Sequence, residues 1–245
     1  MRSTVTNPLL LAASVIALSS CSLQKISTSA ERTAFLKSTG VKSTEKLDRL
    51  PFDHSWRDSS ADFSGYHNIL VRPVSTSHLR RSQWKDSFST FIPTEAAYAK
   101  ECGALAGRFT SMLKSSFSSG ESSYRSVSDT SKAGTLVLEV AITEVTFGRP
   151  AGYVGALAVP GGSIANAAAA SPVVAFEARI KDARTGRLLA TAADRRGTKL
   201  KLIDINQLTY TKANDEICRE WSVQLMQAGN EDLFPKVKRS YFSPF

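Results

Sequence analysis

Apolar residues along the chain recur with two different periods. Tyr98, Cys102, Leu105, Phe109, Met112 and Leu113 return every three or four residues, which draws one stripe down a helix. Thr94 stands ahead of the stripe as an N-cap, Glu95 suits the helix dipole, and Ser118-Ser119-Gly120 stops it. The pattern predicts a helix over 94–116, with Gly103 and Gly107 one turn apart and expected to permit close packing. A second helix is predicted over 210–228, with Ile217, Cys218, Trp221 and Leu225 on one face and Gly229-Asn230 at its end.

Between the helices the period falls to two. Leu136, Leu138, Val140 and Ile142 share one face of a strand over 135–147, and the other face is mixed, as in a sheet covered on one side. Glu139 and Glu144 read as outer-face charges. Residues 173–181 and 187–194 read as a hairpin with Val174, Phe176, Ala178 and Ile180 inward and Glu177, Arg179 and Lys181 outward. Its turn, 182–186, ends on Gly186, free to take positive φ. Residues 66–74 form a first strand that Pro73 ends, and 123–128 a short one. Burying every stripe requires an α+β fold: a four- to five-stranded, mostly antiparallel sheet with two helices packed on one face.

The stretches without a period set the boundaries. Residues 21–62 are rich in Ser, Thr, Lys and Asp and read as a flexible tether with one short helix near 31–37. The domain is expected over 63–230, followed by a basic and aromatic tail, 231–245. Residues 151–171 carry no charge and four glycines, and Pro160-Gly161-Gly162 makes them a poor membrane span. They read as a loop with a short Ala-rich helix or, alternatively, as an apolar flap that touches membrane or partner.

The N-terminus has its own logic. Arg2 is the only charge before an apolar run over 9–17, too short to cross a bilayer, which takes about 20 residues. This is the layout of a signal peptide over 1–20. Leu18-Ser19-Ser20-Cys21 resembles the bacterial lipobox. The resemblance implies cleavage before Cys21, a diacylglycerol thioether on its sulfur, and an acyl chain such as palmitate on the new amine. In the enterobacterial sorting pattern Ser22 points to the outer membrane, with the domain facing the periplasm; the inner membrane and the cell surface stay open.

Composition then narrows the partners. Removing 20 residues and one arginine from 245 residues of net charge +9 leaves 225 residues of net charge +8. Such a balance suits phosphate-rich headgroups, lipopolysaccharide or peptidoglycan carboxylates. Nucleic acid is not expected outside the cytoplasm. Arg195, Arg196, Lys199 and Lys201 cluster after the hairpin, as an anionic contact or as a solvated strand end. Cys102 and Cys218 either pair in an oxidising compartment or stay as buried thiols.

Catalytic patterns are sparse. His54, His67 and His78 form no H-x-x-x-H or Cys/His pair, so no metal site is expected. S-x-x-K occurs at Ser43/Lys46 and Ser111/Lys114, but its companion motifs are missing. No cofactor motif appears. The expectation is a non-enzymatic envelope lipoprotein whose module binds an envelope protein, peptidoglycan or lipopolysaccharide. The alternatives are a subunit of a membrane or secretion assembly that uses 151–171, and, further off, a cell-wall enzyme.

The order of these elements resembles one family. The lipobox, Arg72-Pro73-Val74, Gly134-Thr135-Leu136-Val137-Leu138, Ile142-Thr143-Glu144-Val145, the Gly/Ala segment and Phe176-Glu177-Ala178-Arg179-Ile180-Lys181-Asp182 with Thr185-Gly186 look like the bacterial lipoproteins of DUF3313. The likeness runs over about 62–225. The family has no assigned activity, so it implies an address and a fold but no site residues.

Overall fold

The computed structural model describes residues 32–41, 50–80, 94–147, 172–197 and 211–230. Six strands form one sheet: β1 His54–Arg57, β2 Asn68–Val71, β3 Arg125–Ser126, β4 Thr135–Thr146, β5 Val173–Asp182 and β6 Leu188–Gly197. Three helices accompany it: α1 Ala34–Lys37, α2 Glu95–Phe117 and α3 Lys212–Gly229. The strand order is β1-β6-β5-β4-β2-β3. The α/β mixture stands as expected, but the strands number six and the sheet is mixed. β1, β6, β5 and β4 pair antiparallel, whereas β2 pairs parallel with both β4 and β3. Parallel neighbours need a crossover, and α2 supplies it between β2 and β4.

Long helices α2 and α3 lie on one face. Thr94 caps α2, its hydroxyl accepting from the Ala97 amide at 3.1 Å. The stripe from Tyr98 to Phe117 is buried, and the Tyr98 hydroxyl donates to the Val145 carbonyl at 2.8 Å, fastening α2 to β4. Gly103 and Gly107 have open space where a Cβ would project, so the expected close packing is absent there. Trp221 of α3 meets Phe176 of β5 edge-on, with centroids 4.6 Å apart, at the centre of the core. Asn230 closes α3 by accepting from the Ser123 amide at 2.8 Å and donating to the Glu121 carbonyl at 2.5 Å. Gly186 has φ +72°, as the hairpin turn requires.

The sheet's second face is also covered, contrary to the one-sided expectation. β4 is buried along almost its whole length. A bulge between Ile142 and Glu144 explains part of the pattern. Regular alternation would put Glu139 and Glu144 on opposite faces; the extra residue, Thr143, brings Glu144 round to the face of Glu139. There α1 docks, with Phe35 and Leu36 packed on Ala141 and Ala193. α1 and β1 both lie within the stretch read as tether, so residues 32–41 and 50–62 belong to the packed structure. Their apolar anchors, Phe35, Leu36 and Phe52, are too few and too scattered among serines and aspartates to show a period.

Candidate functional site

The basic cluster is not a surface patch in its first two members. Arg195 and Arg196 are successive residues of β6 and point to opposite faces. Toward the helices, Arg196 donates through Nε to Asp194 at 2.7 Å and through a terminal nitrogen to Gln224 Oε1 at 2.7 Å, and another lies 3.2 Å from Glu220. Its guanidinium sits over the Trp221 ring at 5.4 Å, and Trp221 Nε1 donates to the same Asp194 carboxylate at 2.9 Å. On the second face Arg195 binds both oxygens of Glu144, at 2.6 and 2.9 Å. Glu144 thereby holds the Arg195 guanidinium more firmly protonated. Of the residues expected to make an anionic contact, Arg195 and Arg196 thus have internal carboxylate partners, Glu144 and Asp194. Lys199 and Lys201 lie outside the described residues, as do the lipobox (Leu18, Ser19, Ser20), Cys21 and 151–171.

Further outer-face charges are also structural. Glu139 takes Arg179 and Lys181, the latter at 3.0 Å. Burial would raise its carboxyl, but hydrogen bonds from Lys181 and Arg179 outweigh it and hold the group below its usual range. Glu177 lies on the same outer face, covered by α1, and accepts from the Thr33 and Leu36 amides. Such a row of paired charges fixes a sheet face; it offers no open nucleophile or base.

Cys102 and Cys218 are free, buried thiols on α2 and α3, so the disulfide alternative is not formed. Burial pushes the Cys102 thiol up to about 12, and Cys218 higher still. A high thiol pKa and no solvent path make a cysteine inert. In the Cys21→Ala chain neither thiol is expected to react with an aromatic disulfide reagent in buffer, and both in denaturant. One or two rapid equivalents in buffer would contradict this burial.

Remaining motif residues do not converge. Ser111 and Lys114 are exposed on α2, and the serine hydroxyl donates to the Gly107 carbonyl at 3.2 Å. His78 packs against the Phe35 ring at 5.4 Å, His54 opens β1, and His67 is exposed before β2. Ser43 and Lys46 lie outside the described residues. Among the described residues no three His, Cys, Asp or Glu side chains group as metal ligands, and no helix is long and apolar enough to cross a membrane.

Two concave features stand out. A cavity of about 80 Å³ lies between the sheet and the C-terminal ends of α2 and α3. Phe52, Phe63, Phe117, Tyr124, Leu136 and Leu225 contribute to its wall. Arg57 of β1 also lines it, its guanidinium 4.3 Å from the Phe63 ring centroid. Beside it opens a shallower polar cleft of about 890 Å³ where Ser118, Ser119, Ser122, Ser123 and Ser126 meet Arg125 and Lys132. Sequence reading missed both, because β1 was not recognised and the serines looked like loop filler.

No curated protein matches the chain. Solved structures with likeness include the PelC dodecamer from Paraburkholderia phytofirmans, at 9% identity and TM-score 0.38 over 71% of this chain and 95% of that one. A neuraminyllactose-binding hemagglutinin homolog from Helicobacter pylori aligns at 8% identity and TM-score 0.28, over 74% and 93%. Protein XCC0632 from Xanthomonas campestris, of DUF330, aligns at 12% identity and TM-score 0.26, over 72% and 92%. At sequence level the match is to a protein of unknown function, DUF3313, over residues 31–225. The chain belongs to the DUF3313 family.

Proposed function

We propose that the protein is a non-enzymatic cell-envelope lipoprotein, held to the outer membrane by acylated Cys21, whose domain binds another envelope component in the periplasm. One observation carries the reading: a single positive charge, a short apolar run and Leu18-Ser19-Ser20-Cys21 stand in the order that export and lipidation require. Two buried acyl chains or more anchor far better than one, at about 0.8 kcal/mol per CH₂. Ten residues, 22–31, stand between Cys21 and the first described residue, Arg32, and reach about 35 Å at most when fully extended, so Arg32 stays within about that distance of the proposed anchor.

Intact mass and membrane fractionation of the full chain in a Gram-negative host, beside Cys21→Ala, test the anchor. The expected product starts at Cys21, carries added acyl mass and sits in the outer-membrane fraction, while the variant becomes soluble. An unacylated, soluble wild-type product would remove the proposal.

A further inference from the structure

We propose that the cavity beneath the ends of α2 and α3 is a binding site for a single-chain anionic amphiphile, with the chain end among Phe52, Phe117 and Leu225 and the head beside Arg57. The ligand class deepens the envelope reading and rests on it only for where such a ligand is met. Three observations carry the assignment. The wall is built almost wholly from aliphatic and aromatic side chains, which suits a hydrocarbon and offers a polar ligand few partners. At about 80 Å³ the space is roughly half that of an engineered 150 Å³ apolar cavity that takes benzene, so it fits the last few carbons of a chain rather than a folded hydrophobic molecule.

The third observation is the sign of the charge. The charged residues on the lining are Arg57 and Arg179; among the described residues no carboxylate lines it. Arg179 is held on the far face by Glu139 and the Phe35 carbonyl. Arg57 pairs across the sheet with Ala190, which in turn pairs with Ile180, so it lies on the cavity side of the sheet. Its side chain is exposed, and the Phe63 ring beneath fixes the guanidinium. A cation at the rim of an apolar slot selects a carboxylate or phosphate on the end of a chain.

The test uses the unlipidated Cys21→Ala chain, so that its result does not depend on whether Cys21 is acylated. Calorimetric titration would compare decanoate, decanoyl lysophosphatidylglycerol, decanol and decyltrimethylammonium, each below its micelle concentration. At least one anionic amphiphile is expected to bind about tenfold more tightly than decanol, the equivalent of one charge-assisted contact. The decanoate and lysophospholipid arms tell a free acid from a lipid headgroup. Arg57→Ala should erase the preference for the anion and leave decanol unchanged, and Arg57→Lys should restore most of it. Ala228→Phe, which fills the lining from α3, should abolish binding of every chain while the protein stays folded by circular dichroism. Equal binding of the cationic amphiphile, or binding that survives Ala228→Phe in the folded protein, would overturn the assignment, as would no binding by any of the four.

Discussion

Asp194→Ala is expected to destabilise the domain by about 3–5 kcal/mol, the cost of breaking a buried ion pair by removing one partner. The Asp194 carboxylate is fully enclosed, at 0% side-chain exposure, and Arg196 is at 6%. Among the donors that converge on it are Arg196 Nε, Trp221 Nε1 and the Asp53 amide, at 2.7, 2.9 and 3.2 Å. Alanine leaves all three without that acceptor in a place water does not reach. Arg196 keeps its contacts to Glu220 and Gln224, and that sets the lower end of the range. Urea unfolding gives the value, with an unchanged slope as the sign that only stability moved. The double variant Asp194→Leu/Arg196→Met is expected to recover only part of the loss, because it removes the uncompensated guanidinium but still leaves Trp221 Nε1 and the Asp53 amide without that acceptor. An exposed basic strand end would instead lose about 0.5 kcal/mol or less on such changes. A small effect of Asp194→Ala would therefore restore the surface reading of this cluster.

That contrast marks where the sequence stopped being legible. Periodicity located α2, α3, β4 and the β5–β6 hairpin, because each carries enough apolar residues on one face to define a period. It also named Trp221, Phe176 and Tyr98 as inward. It could not assign the charged positions. Arg196 looks like any arginine after a hairpin, and only the strand register, Val174 opposite Arg196 and Phe176 opposite Asp194, puts it under α3. The bulge at Thr143 leaves no trace in residue type, yet it decides which face Glu144 occupies. β2 is legible as a strand, but its four residues carry no mark of the parallel pairing with β4 that the helix between them permits. β1 escaped because four residues with one aromatic side chain, Trp56, show no alternation. The cavity depends on β1 and on Leu50 and Phe52 ahead of it, so it was invisible for the same reason.

Glu177→Ala is expected to release α1 from the sheet and to cost about 3 kcal/mol, the upper range for hydrogen bonds to a buried charged group. Alternation along β5 places this residue among the outward charges, and it does face that side, but α1 covers it. It is 3% exposed, and its two oxygens accept from the Thr33 amide at 2.5 Å, the Thr33 hydroxyl at 2.7 Å and the Leu36 amide at 3.2 Å. A helix of four residues has almost no stability of its own, since nucleation alone is unfavourable. Its position must come from this carboxylate, from Phe35 and Leu36 against Ala141 and Ala193, and from the Arg179 guanidinium over the Phe35 ring at 4.2 Å. Without Glu177 the amides at the start of α1 lose their acceptors, and the apolar pair alone must hold the segment. Hydrogen exchange should then quicken across 32–41 well before it does in β4 or β5, and limited proteolysis should cut in the same stretch. Glu177→Gln should fall between, because an amide keeps one acceptor oxygen but presents a donor to groups that themselves donate. Unchanged exchange over 32–41 in the alanine variant would show that the apolar contacts suffice and that the buried carboxylate has another purpose. Because this segment is the first described stretch after the proposed anchor, its release would also lengthen the link between Cys21 and the sheet.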